Sequence, residues 1–259
     1  MKNVFSPIDY FTYLVTAKGA QGIHSPFVFE LYNKVIKGPD NYYEFSAIEQ
    51  LRKRLLRSTE VVHVVDFGAS NNCNPARKIS DIIRNSAISP QKGRLLFRLV
   101  NFIQPKMLVE MGTSLGLSTL YQHKGCPEAE VITMEGSPEL SELAGTNFRI
   151  LKADTIKRVV GDFAQTLPDL IKSLHSVDYV FFDGNHRKEA TLEYFRQFLP
   201  LASEKCVFVF DDIRWSSGMK KAWQEVIKEP KATVTIDLFS FGLVFFVPTQ
   251  EKQHFVLRY

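Results

Sequence analysis

"VEMGTSLGLST", Val109 to Thr119, begins inside the apolar run "MLVEM" and passes within a few residues into the helix-compatible segment "LSTLYQH". Gly112, Ser114 and Gly116 lie in the turn between them, where small residues let a ligand approach the backbone closely. Outward from this turn the pattern repeats. The strand candidates "VITME", "KRVVG", "DYVFFD" and "CVFVFD" alternate with the helix-compatible segments "PELSELAGTNF", "FAQTLPDLIKSL" and "RKEATLEYFRQFL". Such alternation predicts an α/β fold, a doubly wound and mostly parallel sheet covered by helices on both faces. Near the end, "ATVTIDLFSFGLVFFV" reads as two β-rich runs joined across "FSFG", an antiparallel hairpin at the sheet's edge.

Upstream of the turn, "SPQKGRLLFRLVNFI" opens with a Ser-Pro start and carries Leu95, Leu96, Leu99, Val100 and Ile103 on one helical face, with Pro105 ending it. "HSPFVFELYNKVI" repeats the Ser-Pro start and places Phe27, Leu31 and Val35 at four-residue spacing; it also fits a lid with His24 turned inward. The run "LRKRLLR", with Arg52, Lys53, Arg54 and Arg57, reads as a solvated helix face. "EVVHVVDFGAS" reads as a strand ending in Asp66 and Gly68, a second glycine turn on the structural or substrate side. These segments divide the chain into an N-terminal helical extension or lid, 1–60, and a domain over 61–259 whose regular core spans about 89–247.

The 259 residues are 45% hydrophobic and 23% charged with a formal charge of +4, an ordinary globular balance that does not call for a nucleic-acid partner. Cys73, Cys126 and Cys206 are far apart and in no zinc-site spacing, so free thiols in a reducing cytoplasm are expected. No stretch approaches the roughly 18 apolar residues of a membrane span.

Ligands of an open parallel sheet bind beyond the carboxyl ends of its strands. Polar residues stand at every such end: Glu110 and Gly112, Glu135 and Gly136, Gly161 and Asp162, Asp183, then Asp211 and Asp212. Each could be a local helix cap, but five in series on one edge indicate a site. Glu135 follows Gly116 by 19 residues, where an acid can accept hydrogen bonds from both hydroxyls of a ribose. Gly-x-Gly-x-x-Gly is absent, with Ser114 in the second glycine's place, which favours a nucleoside without a pyrophosphate.

Residues 89–247 resemble class I methyltransferases that use S-adenosylmethionine, and most of all the small-molecule O-methyltransferases of the catechol, caffeoyl-coenzyme A and macrolide-sugar type. The resemblance implies a seven-stranded Rossmann-like sheet ending in an antiparallel hairpin. It assigns Glu110, Gly112, Ser114 and Gly116 to the methionine part of S-adenosylmethionine, Glu135 and Gly136 to the ribose, and Gly161 and Asp162 to the adenine edge. Asp183 would face the reacting end.

If the strands ending in Asp183 and in Asp211-Asp212 are neighbours, three carboxylates converge. Unpaired, they repel one another, so convergence calls for a cation. All-oxygen ligation suits Mg²⁺, with Ca²⁺ or Mn²⁺ as alternatives, and in the metal-dependent branch of the family these positions carry the ligands. They could also be helix caps, or acids beside the cofactor's sulfonium. His186, three residues past Asp183, is the candidate base for the acceptor hydroxyl, or else a first-turn histidine facing solvent or bonded to Asp212. Trp215, within "DDIRWSSG", is placed at the pocket of a small-molecule acceptor.

Two competing readings remain. "GTSLG" satisfies the nucleophile elbow of α/β-hydrolases, with Ser114, Asp211 and His254 as a triad. A non-catalytic domain would bind S-adenosylmethionine or RNA through the Arg52 to Arg57 run. Aromatic residues near the N-terminus are compatible with a homodimer.

Overall fold

Pro7 and Pro26 each open a helix at the position where a missing N–H costs nothing: α1 (Pro7–Thr16) and α2 (Pro26–Leu31). The computed structural model describes residues 6–65, 67, 76–248 and 251–259. Ser25 caps α2 by accepting from the Val28 N–H at 3.4 Å, and the helix runs on through a π turn, Tyr32–Ile36. Val28, Leu31 and Val35 are fully buried, Phe27 is half-buried beside them, and His24 is exposed rather than turned inward. In α3 (Glu44–Leu56), Phe45, Ile48, Leu51 and Leu55 face the core. Lys53, Arg54 and Arg57 are exposed as expected, but Arg52 is not. Its Nε donates to both carboxylate oxygens of Glu49 at 3.0 and 3.1 Å, and Glu49 also accepts from the Tyr121 hydroxyl at 2.6 Å.

The strand expected to end at Asp66 is shorter and lies elsewhere. β1 (Val61–His63) pairs with β2 (Ala76–Lys78) in a separate antiparallel sheet. Asp66, Gly68 and Cys73 lie outside the described residues, whereas Cys126 and Cys206 are buried free thiols. Then come α4 (Ile79–Asn85) and α5 (Pro90–Ile103). Ser89 caps α5, accepting from the Lys92 N–H at 3.3 Å, and Gln104 ends it in the left-handed conformation just before Pro105.

The alternating half follows as β3 (Met107–Met111), α6 (Leu117–Gly125), β4 (Glu130–Glu135), α7 (Pro138–Ile150), β5 (Lys157–Val160), α8 (Phe163–Ser173), β6 (Val177–Phe182), α9 (Lys188–Phe198), β7 (Ala202–Phe210) and α10 (Ser217–Lys228). The tail is β8 (Val234–Asp237), β9 (Gly242–Phe245) and β10 (Gln253–Val256). The main sheet has eight strands, one more than expected, in the order β10-β8-β9-β7-β6-β3-β4-β5. Strands β7, β6, β3, β4 and β5 are mutually parallel, and β9 is antiparallel to both β7 and β8. The hairpin is therefore not the edge. β10 pairs parallel with β8 beyond it, a strand too short and too mixed in polarity to be read from its sequence.

Successive residues of β6 and β7 divide between two cores. Tyr179, Phe181, Val207 and Val209 pack with α2, α3, α5, α6 and α7; Val180, Phe182, Phe208 and Phe210 pack with α8, α9 and α10. Period-two burial on both faces is why these strands read as unbroken apolar runs. The first and last segments meet. The Tyr13 hydroxyl donates to the Leu257 carbonyl at 2.6 Å, the Tyr259 N–H donates to the Tyr13 oxygen at 3.0 Å, and Lys18 bridges Leu257. Ile8, Phe11 and Val15 of α1 stay exposed.

Candidate active site

Backbone hydrogen bonds stitch the strand tips into one edge. Gly112 and Thr113 donate to the Met134 carbonyl at 2.9 and 3.1 Å, Gly161 to Glu135 at 2.9 Å, Asp183 to Met111 at 2.9 Å, and Asp211 to Phe182 at 3.0 Å. All five polar strand ends of the sequence thus lie along one rim, with β6 beside both β3 and β7.

The turn after β3 is set by positive φ values: 111° at Gly112, 48° at Ser114 and 80° at Gly116. A Cβ at Gly112 would press into the carbonyl of Asp183, so this position brings β3 and β6 together. The Ser114 N–H donates to Glu135 Oε2 at 2.7 Å and the Ser137 N–H to Oε1 at 2.9 Å. The Glu135 carboxylate is thereby fixed at the tip of β4 by backbone donors. Gly136 follows it against the Phe67 ring. Asp162 caps α8, accepting from the Ala164 N–H at 3.0 Å, after Gly161 with φ of 135°.

Glu110 departs from the expectation that it meets the cofactor. Its side chain is fully buried and accepts from Thr119, from Thr133 at 2.7 Å and from Gln122 at 2.8 Å. Burial pushes its carboxyl above the usual range, and these donors pull it partly back. Glu110 ties β3, β4 and α6 together from inside and supports the glycine turn from beneath.

Asp183, Asp211 and Asp212 do converge, but around a side chain that sequence reasoning missed. Lys92, in the first turn of α5, places Nζ 2.5 Å from Asp211 Oδ1 and 3.2 Å from Asp212 Oδ1, and 4.9 Å from the centre of the Phe241 ring. Burial alone would discharge this lysine. Asp211 and Asp212, with Asp183 further off, outweigh that and hold it protonated above the ordinary lysine value. Burial and then the two neighbouring acids push Asp183 well above the usual carboxylate range, with Lys92 opposing; Asp211 is also raised by burial. Among the described residues no group of three or more His, Cys, Asp or Glu side chains is arranged to hold a metal ion. The expected Mg²⁺, Ca²⁺ or Mn²⁺ centre does not fit the donors present, because an ammonium already takes the oxygens of Asp211 and Asp212 that such an ion would use. No local pattern announced Lys92, because the acids it meets lie more than a hundred residues along the chain.

His186 lies next to this cluster. Its Nε2 is 3.7 Å from Asp183 Oδ1, its side chain is 23% exposed, and its ring centre is 6.2 Å from that of Trp215. Asp183, His186 and Trp215 therefore lie side by side beyond the ends of β6 and β7. Phe239 instead packs on Arg214, Tyr10 and Tyr13, and Trp223 is core.

The hydrolase triad is not assembled. His254 is on β10, five places from β3 in the sheet, with Nδ1 2.8 Å from the Thr235 hydroxyl, and Asp211 is engaged by Lys92. Buried Arg52 is likewise unsuited to an RNA surface.

A family model described as a methyltransferase domain matches residues 109–213. The chain is similar to a catechol O-methyltransferase of Mycobacterium tuberculosis, 34% identical over 135 residues, covering 51% of this chain and 60% of that protein. A catechol O-methyltransferase of Niastella koreensis is 28% identical over 130 residues, 49% of this chain and 58% of that one. The chain thus spans about 60% of the length of the curated relatives it matches. Among solved structures, an O-methyltransferase of Bacillus cereus in complex with S-adenosylhomocysteine superposes with a TM-score of 0.55 at 16% identity, covering 83% of this chain and 95% of that one. TomG, an O-methyltransferase of Streptomyces achromogenes involved in tomaymycin synthesis and solved with S-adenosylmethionine, gives 0.57 at 17% identity, with coverage of 85% and 94%. The chain shares the fold of these O-methyltransferase structures, and residues 109–213 match the methyltransferase-domain model.

Proposed function

We propose that this chain is an S-adenosylmethionine-dependent O-methyltransferase acting on a hydroxyl of a small molecule. One observation carries the reading: the glycine turn Gly112–Gly116, Glu135 and Asp162 form one rim that continues directly into the recess of Asp183, His186 and Trp215. S-adenosylmethionine, when bound, supplies an electrophilic methyl group on a positively charged sulfur. The methionine end is placed against the backbone of the Gly112–Gly116 turn. Glu135 at the tip of β4 faces the ribose hydroxyls, and Gly161 and Asp162 border the adenine. Asp183 lies at the reacting end.

Methyl transfer breaks a C–S bond and forms a C–O bond, and the acceptor hydroxyl must give up its proton. His186 Nε2 takes that proton, and Asp183 beside it stabilises the imidazolium. Trp215 offers an apolar wall to an acceptor. The catechol named for two relatives makes a dihydroxyphenol the first acceptor to try. Pairing of two copies through the exposed face of α1 belongs to the same proposal and is read from the mass in solution.

Calorimetric titration with S-adenosylhomocysteine tests the reading. Saturable one-to-one binding is expected, weakened about 10- to 100-fold by Glu135→Ala, the cost of losing charge-assisted hydrogen bonds. No binding by the full-length chain would end the proposal.

A further inference from the structure

We propose that the ammonium of Lys92 is a built-in replacement for a divalent cation: it occupies the position between Asp211 and Asp212 and makes the acceptor side of this site independent of metal. Two hydrogen bonds to different carboxylates, at 2.5 and 3.2 Å, use the oxygens nearest the recess. The Phe241 ring closes on the same nitrogen from another side, and Phe241 itself is fully buried. This is a formed pocket for one positive charge, held by β7, the loop before β9 and the start of α5 together. Its backbone is equally fixed, since Ser89 caps the helix turn that carries Lys92 and the Asp212 N–H donates back to Asp211 Oδ1 at 2.8 Å.

A divalent ion at this place would have to displace an ammonium from two carboxylates and would leave it beside a second, doubly positive charge. That arrangement is unfavourable at any dielectric constant. Lys92 also does electrostatically part of what a metal ion would do. It offsets the negative charge of Asp211 and Asp212 beside His186 and favours the deprotonated form of an acceptor oxygen brought near. This last role rests on the methyltransferase reading; the exclusion of divalent ions does not.

The test is a titration of the full chain with Mn²⁺, following the electron paramagnetic resonance of the free ion, with and without S-adenosylhomocysteine. Wild-type protein is expected to leave the free-ion signal unattenuated up to millimolar Mn²⁺. Lys92→Gln keeps a polar side chain but removes the ammonium from both carboxylates, and is expected to bind one Mn²⁺ at least about tenfold more tightly than wild type. Micromolar Mn²⁺ binding by the wild type, or binding by a folded Lys92→Gln no tighter than wild type, would overturn the proposal. If circular dichroism shows that Lys92→Gln does not fold, the wild-type titration decides alone. Failure of S-adenosylhomocysteine to bind would sink the methyltransferase reading and leave the Mn²⁺ result standing.

Discussion

At Gly112 one hydrogen atom decides whether two strand tips meet. With φ at 111° and the Asp183 carbonyl against the place a Cβ would take, Gly112→Ala combines left-handed strain with a backbone collision. A loss of about 2 to 4 kcal/mol in chemical denaturation is expected, together with weaker binding of S-adenosylhomocysteine. Glu110 behaves differently. Glu110→Ala strands the buried Thr119, Thr133 and Gln122 donors, so a loss of about 3 kcal/mol is expected in the same denaturation experiment. His186 is partly exposed beside Trp215 at the end of β6, so His186→Ala should lower kcat about 100-fold while the affinity for S-adenosylhomocysteine stays unchanged. A fall of only a few-fold would remove it from the mechanism. The acids and glycines of this rim were legible because each stands where an apolar run stops. Lys92 was not, because its partners lie over a hundred residues away and no local pattern announces them.

Among the elements, those with strong internal signals were the ones read correctly. α5 has its Ser-Pro start, its apolar stripe and its terminating proline, and the strands from β3 to β7 are runs buried on both faces. Weak local signals misled. β10 alternates too briefly to register, and the strand read as running to Asp66 is only Val61–His63, because so short a run does not mark its own end. The hairpin of β8 and β9 is fastened from outside by Arg214, whose guanidinium forks onto Asp237 at 2.7 and 2.8 Å while also donating to the Phe239 carbonyl. Asp237 is buried, so Asp237→Ala leaves an uncompensated guanidinium against the sheet. A destabilisation of about 3 kcal/mol, measured as a lowered Tm, is expected.

Over the whole molecule, stability should depend on pH through histidines kept neutral. Burial, and to a lesser degree Lys124, depresses the affinity of His123 for protons; burial does the same at His254, with Arg214 assisting and Asp237 opposing. The unfolded chain then binds more protons than the folded one below the ordinary histidine value, about 6.5. Folding free energy therefore falls as the pH drops through that value and is fully present above it. Urea midpoints at descending pH should show this, and His123→Gln should flatten part of the slope.

The meeting of Tyr13 with Leu257 and Tyr259 spans nearly the full length of the polypeptide. The ribosome makes α1 well before the segment on which it rests. While the rest of the chain is being synthesised, the apolar helix has nowhere to dock, and it waits as an open handle for chaperones or proteases. Nascent chains stalled just short of β10 should accordingly be clipped within α1 under brief protease treatment that leaves released chains containing β10 and Tyr259 uncut.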